Sequence, residues 1–277
     1  MVAPTGRRAL LAALAALPVL GMARSAAASP APAGLPAGYG GVDPRTARRV
    51  PLWQPLRRDN PVFEGDPPFR WEVFTTVDES GYLLEKVTSL GTHTGTHVSA
   101  PAHFVPGGAH LDELDERFTL MPLVVLDVRA RLRREGPDFR VSVEDLRAFE
   151  RRHGRVPAGG CVLVLTGASE RFGEGTAPGP GNDYSDPVPG LAAAAVRWLV
   201  ERRGVLAVGA DSFGPDATAD EQFSATDTAL RLGAITVENV GPGLAQMRPH
   251  GDWVAVNGPR PHFSGFQVGL TGFTVAR

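Results

Sequence analysis

This 277-residue chain is poor in several features that would otherwise decide its class. It has one cysteine, Cys161, so no disulfide can close within it and the fold must rest on its core. That cysteine lies in "CVLVLTG", a strand-like run in which packing is the expected role rather than thiol chemistry. A net charge of −2 gives no sign of a nucleic-acid partner, and basic pairs such as Arg48-Arg49 and Arg133-Arg134 read as solvated surface. The N-terminal apolar run falls short of the ~20 residues a membrane-crossing helix needs, so no stable span is expected in the mature protein. No internal repeat is visible. The stretch "GEGTAPGPG" lacks the lysine and the strand–turn–helix frame of a phosphate loop.

What is present is the composition of an ordinary globular protein, 43% hydrophobic and 21% charged. Its N-terminus has the plan of a secretory signal: Arg7-Arg8, an apolar run from Ala9 to about Met22, then small residues around Ala26-Ala27-Ala28. The paired arginines also permit a twin-arginine form of that signal. The expected organisation is a signal peptide over 1–28, a flexible mature N-terminus over 29–49 and one domain over 50–277. A secreted or extracytoplasmic location follows from it.

Within the domain, apolar and amphipathic runs alternate. "PLVVLDV" (122–128), "CVLVLTG", "VLAVGAD" and "AITVENV" read as buried strands. "SVEDLRAFERRHG" reads as a helix with Ser142 and Asp145 as a capping box and Gly154 as its stop. "PGLAAAAVRWLVERRG" (189–204) is the clearest helix, with Trp198 on its core stripe, and "DTALRLG" a short one. The alternation predicts an α/β fold with a largely buried sheet and a β-rich flank nearer the N-terminus. The loop between Arg171 and Pro189, rich in glycine and proline, reads as a lid or rim.

Three of the seven histidines, His93, His97 and His103, fall within "GTHTGTHVSAPAHF" (91–104). Histidine is the commonest metal ligand and the side chain best suited to proton transfer near neutral pH. A regular strand would put all three on one face but spread them over about 33 Å. Pro101 opposes a helix. The segment must curl back, and Gly95 is where it can do so at least strain. Two imidazoles can then share an ion, with the third nearby and free. His110, His153 and His250 are expected at the surface, and Asp66 in "EGDPPF" is expected to be a turn residue.

This loop resembles the pattern H-x-G-T-H-x-D-x-P-x-H-F of the cyclase family, which includes bacterial kynurenine formamidases and isatin hydrolases. The resemblance extends through "PVFEGDPPF", "PGGAHLDEL", "VLTGASERFG", "GADSFGPD" and "ITVENV". It implies a swivelling β/β/α fold, a mixed sheet flanked by helices, and a zinc- or manganese-dependent hydrolase, often a homodimer or homotetramer. Carried onto this chain, His93, His97 and Glu238 match metal ligands and His103 matches the general acid/base. Two positions depart from the pattern. Ser99 stands where relatives carry a metal-bridging aspartate, and Thr226 where they carry a second histidine, so one divalent ion is expected rather than two. Asp211 and His262 are the residues a weakened site could recruit, and Phe63 is expected to line the pocket. The reading that follows is an exported single-metal hydrolase of a small amide, cyclic imide or lactone, arylformamidase-like. The other is a non-catalytic descendant that binds a small molecule or partner in the old pocket.

Overall fold

The computed structural model describes residues 37–43, 45–172, 184 and 186–275. Thirteen strands follow in chain order: β1 (Arg48–Pro51), β2 (Arg70–Thr75), β3 (Leu84–Ser89), β4 (His97–Ser99), β5 (Leu120–Asp127), β6 (Arg140–Val141) and β7 (Cys161–Leu165). Then come β8 (Gly190–Leu191), β9 (Ala207–Ala210), β10 (Ile235–Glu238), β11 (His250–Asn257), β12 (Gly265–Gln267) and β13 (Gly269–Thr274). The helices are α1 (Val77–Ser80), α2 (Arg129–Glu135), α3 (Val143–His153), α4 (Ala193–Arg203) and α5 (Ser224–Arg231).

Nine strands form one mixed sheet in the order β1-β13-β11-β5-β7-β9-β10-β4-β12. Its centre, β5-β7-β9-β10, is parallel and the flanks are antiparallel. Central strands are buried on both faces, as the unbroken apolar runs in β5 and β7 require. Successive side chains divide between two cores. Leu123, Leu163 and Val237 enter one, while Val124, Val162 and Val208 meet Leu146 and Leu199 of the helices in the other.

The α3 signals behave as its sequence implies. Ser142 Oγ accepts from Asp145 N at 3.2 Å, and Asp145 accepts from Ser142 N at 2.8 Å. α4 starts later than its apolar run, because Gly190-Leu191 pairs with Arg140-Val141 as a short parallel ladder. Trp198 is half-buried beneath the Arg203 guanidinium, 3.9 Å from the ring centre, rather than wholly core. Cys161 is buried, and burial pushes its thiol pKa up, which suits packing.

The ordered fold reaches upstream of residue 50. Tyr39 is buried, its hydroxyl donates to Leu123 O at 2.7 Å, and Trp253 Nε1 donates to Gly40 O at 2.9 Å. Residues 37–43 and 45–49 thus pack against the domain, where an aromatic ring finds both an apolar seat and a hydrogen-bond partner. The signal-like segment and most of the 171–189 loop lie outside the described residues. Among the described residues, no helix is long and apolar enough to cross a membrane.

Candidate active site

The histidine loop curls back at Gly95, whose φ of +70° is the left-handed conformation that glycine adopts without strain. The chain then enters β4, where antiparallel pairing sets His97 opposite Glu238 and Ser99 opposite Thr236. With a two-residue period, His97, Ser99, Thr236 and Glu238 share one sheet face while Val98 and Val237 enter the core behind it. Sheet register thus brings together residues about 140 positions apart in sequence.

His97 is buried. Its Nδ1 donates to Gly95 O at 2.8 Å, which leaves Nε2 facing Glu238. Nε2 lies 3.3 Å from Glu238 Oε2 but lacks hydrogen-bond geometry to it, so the contact is a charge pair around an unpartnered buried nitrogen. Burial disfavours charge on both groups, yet each holds the other ionised. The Glu238 carboxylate carries the His97 pKa upward, and burial of Glu238 is outweighed by His97, leaving its pKa at about 2. Glu238 Oε1 also accepts from Thr236 Oγ1 at 2.6 Å and from Ser99 Oγ at 3.1 Å.

His93 reaches the same pocket in a different state. Ser99 spends its proton on Glu238, so the Ser99 oxygen accepts from His93 Nδ1 at 3.2 Å, and Ser264 Oγ faces Nε2 at 3.3 Å. This network assigns a neutral ring protonated at Nδ1. Burial and the neighbouring histidines hold its pKa down at about 3. His103 stacks on His93, centroids 3.9 Å apart at 21°. No hydrogen bond among the described residues occupies the nitrogens of His103, and burial lowers its pKa despite the pull of Glu238.

His93, His103 and Glu238 open onto a cavity of about 1170 Å³, with His97 and Ser99 buried behind them. Phe63, the expected pocket aromatic, lines it and meets Phe213 and Phe223 edge-on, each 5.8 Å away. Phe223 holds an unusual φ of +51° there, a left-handed position that a bulky residue seldom takes. Thr226 lines the pocket too, but its hydroxyl and backbone N–H bind Asp216. At both positions that depart from the family pattern, a hydroxyl now donates to a carboxylate.

Two expected contributors are elsewhere. Asp211 is wholly buried, its oxygens taken by Thr166 N and Oγ1, Gly167 N and Ser169 Oγ at 2.7–3.2 Å, so it braces the loop after β7 and cannot be recruited as a ligand. His262 lies at the surface against Asp112, Nδ1 to Oδ1 3.0 Å, because the chain passes the pocket only two residues later, at Ser264. Gly265, paired with Ser99 across β12–β4, leaves the space that His93 fills. A Cβ there would lie 2.3 Å from His93 Cε1. Asp66 forms its turn but also lines the cavity, close enough to feel His97 and His103, and burial raises its pKa. Its place in "EGDPPF" was the available signal. Asp216, in "GADSFGPD", was likewise missed.

The donor set fits one divalent ion in part. The 3.3 Å between His97 Nε2 and Glu238 Oε2 matches the separation of two ligands held ~2.0–2.1 Å from one tetrahedral ion. His93 joins them only if its ring moves, since the three residues do not offer donor atoms within 4.8 Å of one another.

Comparison with known proteins places the chain in a family. Residues 50–217 match the family model "Putative cyclase". The chain belongs to the cyclase family. Kynurenine formamidase of Bacillus thuringiensis (strain Al Hakam) is 27% identical over 196 residues, 71% of this chain and 83% of the relative. Isatin hydrolase A of Ralstonia solanacearum shares the fold with a TM-score of 0.72 and 26% identity, over 83% of this chain and 92% of that one. The "predicted metal-dependent hydrolase" of Bacillus stearothermophilus aligns with a TM-score of 0.59 at 18% identity, over 82% and 98% of the chains, a likeness of fold alone. The cyclase-family chain thus has the α/β architecture that its sequence implied, and its relatives include amide hydrolases.

Proposed function

We propose that this protein is a metal-dependent hydrolase of a small amide, cyclic imide or lactone, with His93, His97 and Glu238 around a single zinc or manganese ion. The observation that carries the reading is the His97–Glu238 pair, an orphaned buried nitrogen 3.3 Å from a carboxylate that lines the cavity. When bound, such an ion supplies polarisation of the scissile carbonyl and a lower pKa for water. His103 takes a proton from the attacking water and returns it to the leaving nitrogen or oxygen. Its lowered pKa keeps the ring neutral, and so able to accept, at neutral pH. The phenylalanines exclude water above it and favour a flat, apolar substrate.

The test is turnover of a panel of N-formyl arylamines, cyclic imides and lactones by zinc- or manganese-loaded protein. Hydrolysis of at least one class should fall about 10²–10⁴-fold in His103→Ala while metal affinity is kept. No turnover of any class, or full activity in that variant, overturns the assignment.

A second reading rests on the two serines that occupy His93, namely that the pocket binds a small molecule or partner without chemistry. It predicts that His97→Ala leaves the melting shift with either ion unchanged, whereas an ion held in the pocket must stabilise the native state and lose that effect in the variant. Export belongs to the proposal as well. Edman sequencing of protein from the culture medium should find a chain starting near Ser29, and an intact N-terminus found only inside cells would reject it.

A further inference from the structure

The histidine expected to join the pocket belongs to a different cluster. Leu111 N donates to Phe263 O at 3.1 Å, clamping the turn after Ala109 to the strap that leads into β12. The clamp sets His110 beside His262 with rings stacked, centroids 4.0 Å apart at 26°. Each ring faces a carboxylate through Nδ1: Glu113 Oε2 lies 3.4 Å from His110, and Asp112 Oδ1 lies 3.0 Å from His262. One donor atom each from His110, Glu113 and His262 lie within 4.8 Å of one another. Among the described residues no other three His, Cys, Asp or Glu come so close.

Glu113 already has a local task, accepting His110 N at 2.8 Å through Oε2 to cap its turn. That leaves Oε1 without a hydrogen bond among the described residues. The nearby cation, Arg260, is turned to Leu114 O and Glu116 and does not neutralise the pair of carboxylates. Capping alone calls for neither His262 nor the stack, because it is complete within residues 110–113.

We infer that His110, Glu113 and His262, with Asp112 beside them, form a second cation site at the protein surface, separate from the catalytic pocket. Two imidazoles and a carboxylate suit borderline ions such as Zn²⁺, Co²⁺ or Ni²⁺ and not Ca²⁺ or Mg²⁺, which favour all-oxygen shells. The site is half open to solvent, with His262 65% exposed, so small rotations can close the donors on an ion. An ion here staples two loops. Its strap carries Ser264, which meets His93 Nε2 with its hydroxyl and Ala100 N with its carbonyl.

The probe is Co²⁺, followed by its visible absorption and by calorimetry on the full chain. His97→Ala, which disables the pocket, should still bind one ion, and adding His110→Ala and His262→Ala should abolish that binding or weaken it at least about tenfold. In the otherwise unaltered chain, the same two surface changes should lower the stoichiometry by one ion, which keeps the test intact if His97→Ala fails to fold. Mg²⁺ at equal concentration should not compete. Equal Co²⁺ binding with and without His110 and His262, or displacement by Mg²⁺, overturns the site.

Discussion

The Ser99 hydroxyl donates to Glu238 Oε1 at 3.1 Å, from a position where the family pattern carries an aspartate. Serine there relieves a repulsion that a second carboxylate would impose. Ser99→Asp should lower the stability of the metal-free protein by roughly 3 kcal/mol, since the new charge is buried against Glu238 with only the neutral His93 N–H to meet it. The same variant should bind zinc or manganese more tightly, because a further anionic oxygen joins the donor set. Melting curves with and without each ion check both halves. Lowered stability with unchanged affinity would mean that this pocket no longer works as a metal site lacking one ligand.

Gly265 is a packing requirement of the His93 ring. Gly265→Ala would place a Cβ 2.3 Å from His93 Cε1 and 2.9 Å from Val98 O, so the ring must move away from Ser99 and Ser264. A loss of about 1–3 kcal/mol is expected from overpacking, together with weakened metal binding. Unfolding and ion titration of this variant should show both changes. Native affinity would show that His93 takes no part.

Asp216 gives the pocket a pH signature. Burial raises its carboxyl pKa from the ordinary 3.8 to about 6, despite donors from Thr226 and Ala225. The folded state therefore binds more protons than the unfolded one between those values, and this group's contribution to stability falls as pH rises through them, by on the order of 3 kcal/mol. His93, held down at about 3, acts with the opposite sign in the same interval, and Glu238 adds stability that is lost only as pH falls below about 4.5. The informative quantity is the difference between the wild type and Asp216→Asn. Stability of the variant relative to wild type should rise from pH 4 to pH 6 and level off above. A flat difference would contradict a buried, proton-holding Asp216.

How much of this was legible in the sequence follows the range of each interaction. The curl at Gly95, the capping box of α3 and the buried runs of β5 and β7 depend on neighbours a few residues away, and they stand as read. His97 and Glu238 were singled out through motif likeness, but their pairing depends on the β4–β10 register, which no local pattern encodes. For the same reason Ser264 and Gly265 were missed while His262 beside them drew attention. The β12–β4 ladder decides which part of "PHFSGF" meets the pocket. Asp211 looked available because its four donors come from a loop some 45 residues earlier.

The most direct measurement is calorimetric titration of Mn²⁺ into protein carrying His110→Ala and His262→Ala, so that only the pocket is read. The account predicts one ion per chain, with proton release as the His97 imidazolium gives up its proton. That binding should be lost in both His97→Ala and Glu238→Gln. No binding, or binding that survives both substitutions, would contradict a metal centre built on His97 and Glu238.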